Sequence, residues 1–73
     1  MLHPVFVEVR QFVFDMWHDA NHYDAPGKMT LADAAYNLRE YRACGGLEIP
    51  DGLTPGLYCM LWNRLTRNNG YYA

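Results

Sequence analysis

The sequence predicts an all-α fold, a compact three-helix bundle made by one domain over residues 1–73. Three observations predict it. Apolar residues recur at helical spacing in three stretches, about 4–20, 31–44 and 55–67. Two of these open on a threonine suited to an N-cap, Thr30 and Thr54. Between the stretches lie runs rich in Gly, Asn, Asp and Pro, which are turn chemistry. A chain of this length has room for a single core, and a 51% hydrophobic composition with eleven aromatic residues compensates for the small size.

The first stretch is full of β-formers, VFVEVRQFVF, yet its period argues for helix. At about 100° per residue, Phe12, Val5, Met16, Val9, Ala20, Val13, Phe6 and Trp17 fall on one arc. Glu8, Gln11, Asp15, His18 and Asp19 fall on the other. A strand would put Phe6, Glu8, Arg10, Phe12 and Phe14 on one face, which no core accepts. Pro4 suits the first helical position, where its missing N–H is not needed. Burial of large apolar side chains, about 1.5–3 kcal/mol each, outweighs the few tenths that each β-branched residue costs the helix. The chain is therefore expected to be organised around this helix.

Val7 and Phe14 lie outside that core arc, seven residues apart and nearly eclipsed, with Arg10 between them. They form a second, narrower stripe. It reads either as an extension of the core face or as a contact surface for a partner or a second copy of the chain. On the contact reading, Phe14→Asp leaves the fold intact and abolishes binding.

Asn21 to Lys28 reads as a loop. Thr30 and Asp33 have the spacing of a capping box, and Gly45-Gly46 supply a C-terminal stop for the second helix. Its inward arc is Leu31, Ala34, Ala35, Leu38 and Tyr41, with Tyr36 exposed. Arg42 falls within the apolar arc, and its head is expected on the last helix carbonyls. In the connector, Leu47, Ile49 and Leu53 are expected to plug the end of the bundle, around a Pro50-Asp51-Gly52 turn. A short two-stranded element there stays open. Thr54-Pro55 is the clearest start signal, and Leu57, Tyr58, Leu61, Trp62 and Leu65 make the third core arc. Asn68-Asn69-Gly70 ends that helix, leaving Tyr71-Tyr72-Ala73 as a tail, frayed or docked through its rings.

Several chemistries are disfavoured. A net charge of −2 opposes nucleic-acid binding. The second and third helices could be read as a helix-turn-helix DNA-binding regulator. Their connector of about nine residues exceeds the usual three or four, and Pro55-Gly56-Leu57-Tyr58 offers few base-reading groups. His18 and His22 stand at i and i+4 with Asp24 nearby, which suggests a metal site. The histidine helix of zinc proteases has Glu where this chain has Asp19. A third ligand would have to come from Asp24 or His3, and a helix ending near Asn21 would spoil the geometry. Glu8, Asp15 and Asp19 read as a solvated face. Cys44 and Cys59 lack metal-ligand spacing and are expected as reduced, partly buried thiols. No catalytic constellation is present, so neither enzymatic activity nor a cofactor is expected. With no signal-peptide pattern and no apolar run of membrane length, the chain reads as cytoplasmic.

Residues 31–65, LADAAYNLREYRACGGLEIPDGLTPGLYCMLWNRL, resemble the helix–loop–helix pattern of small phage and plasmid proteins. Size, acidity and the lack of enzyme motifs are also similar to those of phage-encoded inhibitors of host systems, the anti-CRISPR type. That resemblance implies a partner that is a host bacterial protein or protein complex, bound by occupying its surface. The residues expected to make such contacts are Val7, Arg10 and Phe14 on the first helix and Tyr36 on the second. A homodimer through the first helix is the other use of the same stripe.

Overall fold

The computed structural model describes residues 3–23 and 27–72. Three helices account for its regular structure: α1 (Pro4–Tyr23), α2 (Leu31–Cys44) and α3 (Pro55–Arg67). They form an all-α three-helix bundle, and no strand occurs among the described residues. The last two helices have the expected bounds. The first runs three residues further, because nothing from Ala20 to Tyr23 is a helix breaker. The expected loop residues Asp24-Ala25-Pro26 lie outside the described residues.

The centre of the fold is α3, not α1. Both α1 and α2 pack on α3, whereas no Cα pair within 8 Å joins α1 to α2 among the described residues. The reason is the width of the α3 apolar face. Tyr58, Leu61 and Leu65 are fully buried, and half-buried Leu57, Cys59 and Trp62 flank them. A stripe that broad can serve two helices at once. α1 brings Val9, Val13 and Trp17 to it, one turn apart, and α2 brings Ala34 and Leu38. Met29 and Leu53, from the two connectors, complete the core.

The helix ends follow the sequence signals. Thr30 accepts from Asp33 N–H at 3.1 Å, and the Asp33 carboxylate accepts from Thr30 N–H at 3.4 Å, the reciprocal pair of a capping box. Gly45 closes α2 in the left-handed region at φ 68°, donating to Tyr41 O. Thr54 caps α3 by accepting from Leu57 N–H at 3.2 Å. His3 was not foreseen as a cap: its Nδ1 accepts from Val5 N–H at 3.2 Å, ahead of Pro4 at the first helical position.

Several expected burials are corrected. Val5 is 41% exposed, Leu31 60% and Leu47 43%. Ala35 is also exposed. Because α2 has no α1 neighbour, only the Ala34–Leu38–Tyr41 side of its apolar arc finds a surface to cover it. The connector plugs the bundle with Leu53 and half-buried Ile49 only, and Pro50 O accepts from Leu53 N–H in its turn. Arg42 reaches that connector rather than the end of its own helix, donating from Nη2 to Leu53 O at 3.3 Å. Cys44 is exposed and Cys59 half-buried, and both are free thiols.

What substitutes for α1–α2 packing is a set of polar ties from α3. Asn63 holds the backbone of buried Met29 from both sides: Oδ1 accepts from Met29 N–H at 2.7 Å and Nδ2 donates to Met29 O at 2.9 Å. The Cys59 thiol donates to the same carbonyl at 3.1 Å, and Trp62 Nε1 donates to Gly27 O at 3.0 Å. On the other side, Trp17 Nε1 donates to Thr66 Oγ1 at 3.1 Å, which ties α1 to α3.

Two stability outcomes follow. Asn63→Ala leaves two backbone groups of Met29 without their Asn63 partners, and urea denaturation should show a loss of about 2 kcal/mol. Conversely, the Tyr58 hydroxyl is buried and makes no well-formed hydrogen bond among the described residues, with the Tyr41 side chain as its one polar neighbour, and burial together with Tyr41 pushes its ionisation far up. Tyr58→Phe should therefore be neutral or raise stability by about 1 kcal/mol; a clear drop would show that the hydroxyl is satisfied.

Candidate functional site

Three of the four residues expected at a contact surface are brought together. Val7, Arg10 and Phe14 line one open depression of about 300 Å³, together with Gln11 and Tyr72. Helical spacing explains the first part: positions 7, 10, 11 and 14 of α1 are one-turn neighbours on one face. Val7 is 48% exposed. Phe14 is half-buried, packs against the core and stacks on His18 with ring centroids 5.9 Å apart. Phe14→Asp would set a carboxylate against these apolar neighbours, so that variant reports on packing as well as on binding. Tyr36 stands elsewhere, exposed on α2 with the Arg39 guanidinium 5.9 Å from its ring centroid.

Tyr72 is the residue that sequence reasoning left undecided. The α3 C-terminus makes the turn that places it. Asn69 adopts the left-handed region at φ 56°, Gly70 follows at φ 100°, and Gly70 N–H donates to Leu65 O at 2.8 Å. This turn sends the tail back across α1, with Gly70 against the Trp17 ring. The Tyr72 hydroxyl then donates to Arg10 O at 2.6 Å, and the Arg10 guanidinium lies 4.6 Å from the Tyr72 ring centroid. Phe6 flanks the same guanidinium at 5.9 Å. A half-buried cation is therefore held between two aromatic faces. Tyr71, by contrast, is 70% exposed.

A second depression of about 450 Å³ adjoins the first through Phe14, lined also by Trp17, His18, Asn21 and Tyr71. The aromatic face therefore continues along α1 towards its C-terminal end. The only sequence clue to this arrangement was the Asn-Gly stop followed by two tyrosines.

The histidine cluster is distributed differently from the metal-site expectation. With α1 extending to Tyr23, His18 and His22 do share a helix face. His3, however, caps the opposite end of α1, and His18 is stacked on Phe14. No three His, Cys, Asp or Glu residues converge on a metal-sized site among the described residues, and Asp24 lies outside them. No helix among the described residues is long and apolar enough to cross a membrane.

Burial and the negative charge of Asp15 raise the Tyr72 phenol from 10.0 to about 12, against the opposing effects of Arg10 and the Phe14 backbone. A pKa raised on folding favours the protonated, docked form. Its contribution to stability is complete below pH 10 and is lost as pH rises towards about 12. Between those values the unfolding free energy of the wild type should fall more steeply than that of Tyr72→Phe, as read by denaturant titrations at successive pH. Equal slopes would mean that the phenol is not docked in solution.

Compared with known proteins, this chain matches no protein-family model, no curated protein and no solved structure.

Proposed function

We propose that this chain is a protein-binding module that works by occupying a surface of a larger partner, using the Val7–Arg10–Phe14 face of α1. The observation that carries the reading is the convergence of these three side chains with Tyr72 around one depression. Partly exposed aromatic rings, an Arg and an aliphatic residue in one concave patch are the composition of a contact surface rather than of a solvated one. The resemblance in size, acidity and lack of enzyme motifs to phage-encoded inhibitors extends the proposal: the partner is a host bacterial protein complex, and the chain is its phage- or mobile-element-encoded inhibitor.

The geometry lends less to DNA recognition. A reading helix must project into a groove, whereas α3 is covered by α1 on one side and α2 on another. Its exposed positions are Gly56, Met60 and Arg67, and partly exposed Arg64 lies with Arg67 at the C-terminal end, away from the N-terminal turn that reads bases.

The test is affinity capture from bacterial lysate with tagged wild type, Val7→Asp and Tyr36→Ala in parallel. Val7 is exposed enough that its change should move stability by no more than about 0.5 kcal/mol, checked by thermal melting. A stoichiometric partner lost with Val7→Asp and kept with Tyr36→Ala is the expected result. A partner kept with Val7→Asp and lost with Tyr36→Ala would move the surface to α2. Clean dimerisation without a partner would assign the stripe to self-association.

A further inference from the structure

We infer that the Arg10 depression recognises an acidic side chain of a partner polypeptide that stands next to a large apolar side chain. This inference rests on reading the α1 face as protein-binding and names the chemistry it selects. It is carried by the state of the Arg10 guanidinium. The described residues give it no hydrogen bond and no ion pair; its only contacts of note are the rings of Phe6 and Tyr72. Its planar fork of N–H donors thus lies beside two rings and meets no protein acceptor among the described residues.

The chain has carboxylates close at hand and does not use them. On the same helix, Glu8 points away, and Asp15 is engaged by Gln11, whose Nε2 donates to Asp15 Oδ1 at 2.9 Å. Glu8 and Asp15 both line a different groove, with Phe12, Ile49 and Asp51. An acidic chain of net charge −2 that leaves Arg10, the arginine set against two rings, without an ion pair among the described residues retains a positive point at the edge of an apolar depression. A carboxylate is the complementary group, and a guanidinium can bind it through two parallel N–H···O bonds. Beside it, Val7, Phe14 and the Tyr72 ring leave space for an aromatic or aliphatic side chain. Pre-orientation matters here: Tyr72 is pinned by its hydroxyl to the Arg10 backbone, so the ring that the guanidinium lies against is in place before binding.

The experiment is an NMR titration of ¹⁵N-labelled protein with two capped peptides, acetyl-Gly-Phe-Glu-Gly-amide and its counterpart with Gln in place of Glu. The expected result is shifts at the Val7 and Phe14 amides and at Arg10 Nε–H, with the Glu peptide bound about tenfold more tightly than the Gln peptide. Arg10→Gln should abolish that preference, and Arg10→Lys should keep part of it. The wild-type comparison of the two peptides stands even if an Arg10 variant fails to fold. Equal binding of the two peptides, or shifts confined to other faces, overturns the inference. So does binding of N-acetylphenylalanine alone, which would point to a terminal carboxylate. A wild-type dimer that Arg10→Gln converts to monomer would make the occupant a second copy and overturn it too. Partner capture that survives Val7→Asp removes the protein-binding reading of this face; capture lost with Val7→Asp, alongside indifference to Glu or Gln, removes only the acidic specificity.

Discussion

The amide of Asn63 meets both backbone polar groups of Met29, and the arrangement of the chain depends on what that junction does. A three-helix chain of this size would ordinarily bury each helix against both others. Here α1 and α2 are held apart, and the segment leading into α2 is fastened to α3 by Asn63, Cys59 and Trp62. Unpaired buried backbone groups cost about 1–3 kcal/mol each. Their satisfaction from α3 is what lets Met29 enter the core without regular structure around it. With the junction in place, Leu38 and Ala34 meet Leu61 and Tyr58 in a shared core to which the connectors, not a direct α1–α2 contact, add Met29 and Leu53.

The lack of a direct α1–α2 contact has consequences for the outer surface. An α1 that packs on one neighbour rather than two needs a narrower core stripe, so Val9, Val13 and Trp17 are enough. Val5 and Val7 remain partly outside, and Phe14 sits on the border. The chain covers part of this border with its own tail. Tyr72 lies across Arg10, fixed by one short hydrogen bond and one ring–cation contact, each modest alone. Together they turn a loose stripe into a shaped depression whose walls come from both ends of the described chain.

The parts of the molecule legible in advance share one property: each depends on residues within four or five positions of one another. The capping box at Thr30 and Asp33, the Thr54-Pro55 start and the Gly45 stop are local hydrogen-bond arrangements. The grouping of Val7, Arg10 and Phe14 spans two turns, in steps of three and four residues, and needs only the helical period. The misjudged residues depend on distant neighbours. Leu31 and Leu47 carry the right hydropathy but meet no surface that would cover them. Met29, just past the expected loop, is buried because Asn63, 34 residues on, receives its backbone.

The sequence by itself thus determined an all-α chain with three helices, their starts and most of their ends, and the stripe on α1, since hydrophobic period and capping chemistry act over one or two turns. Only the tertiary structure decided that α3 is the shared centre, that Arg42 reaches Leu53 and that Tyr72 folds back over Arg10. Those outcomes turn on which surfaces compete for the broadest apolar face and on where a chain reverses after its last helix. A one-dimensional pattern specifies neither, because both are settled by contacts between residues up to 62 positions apart.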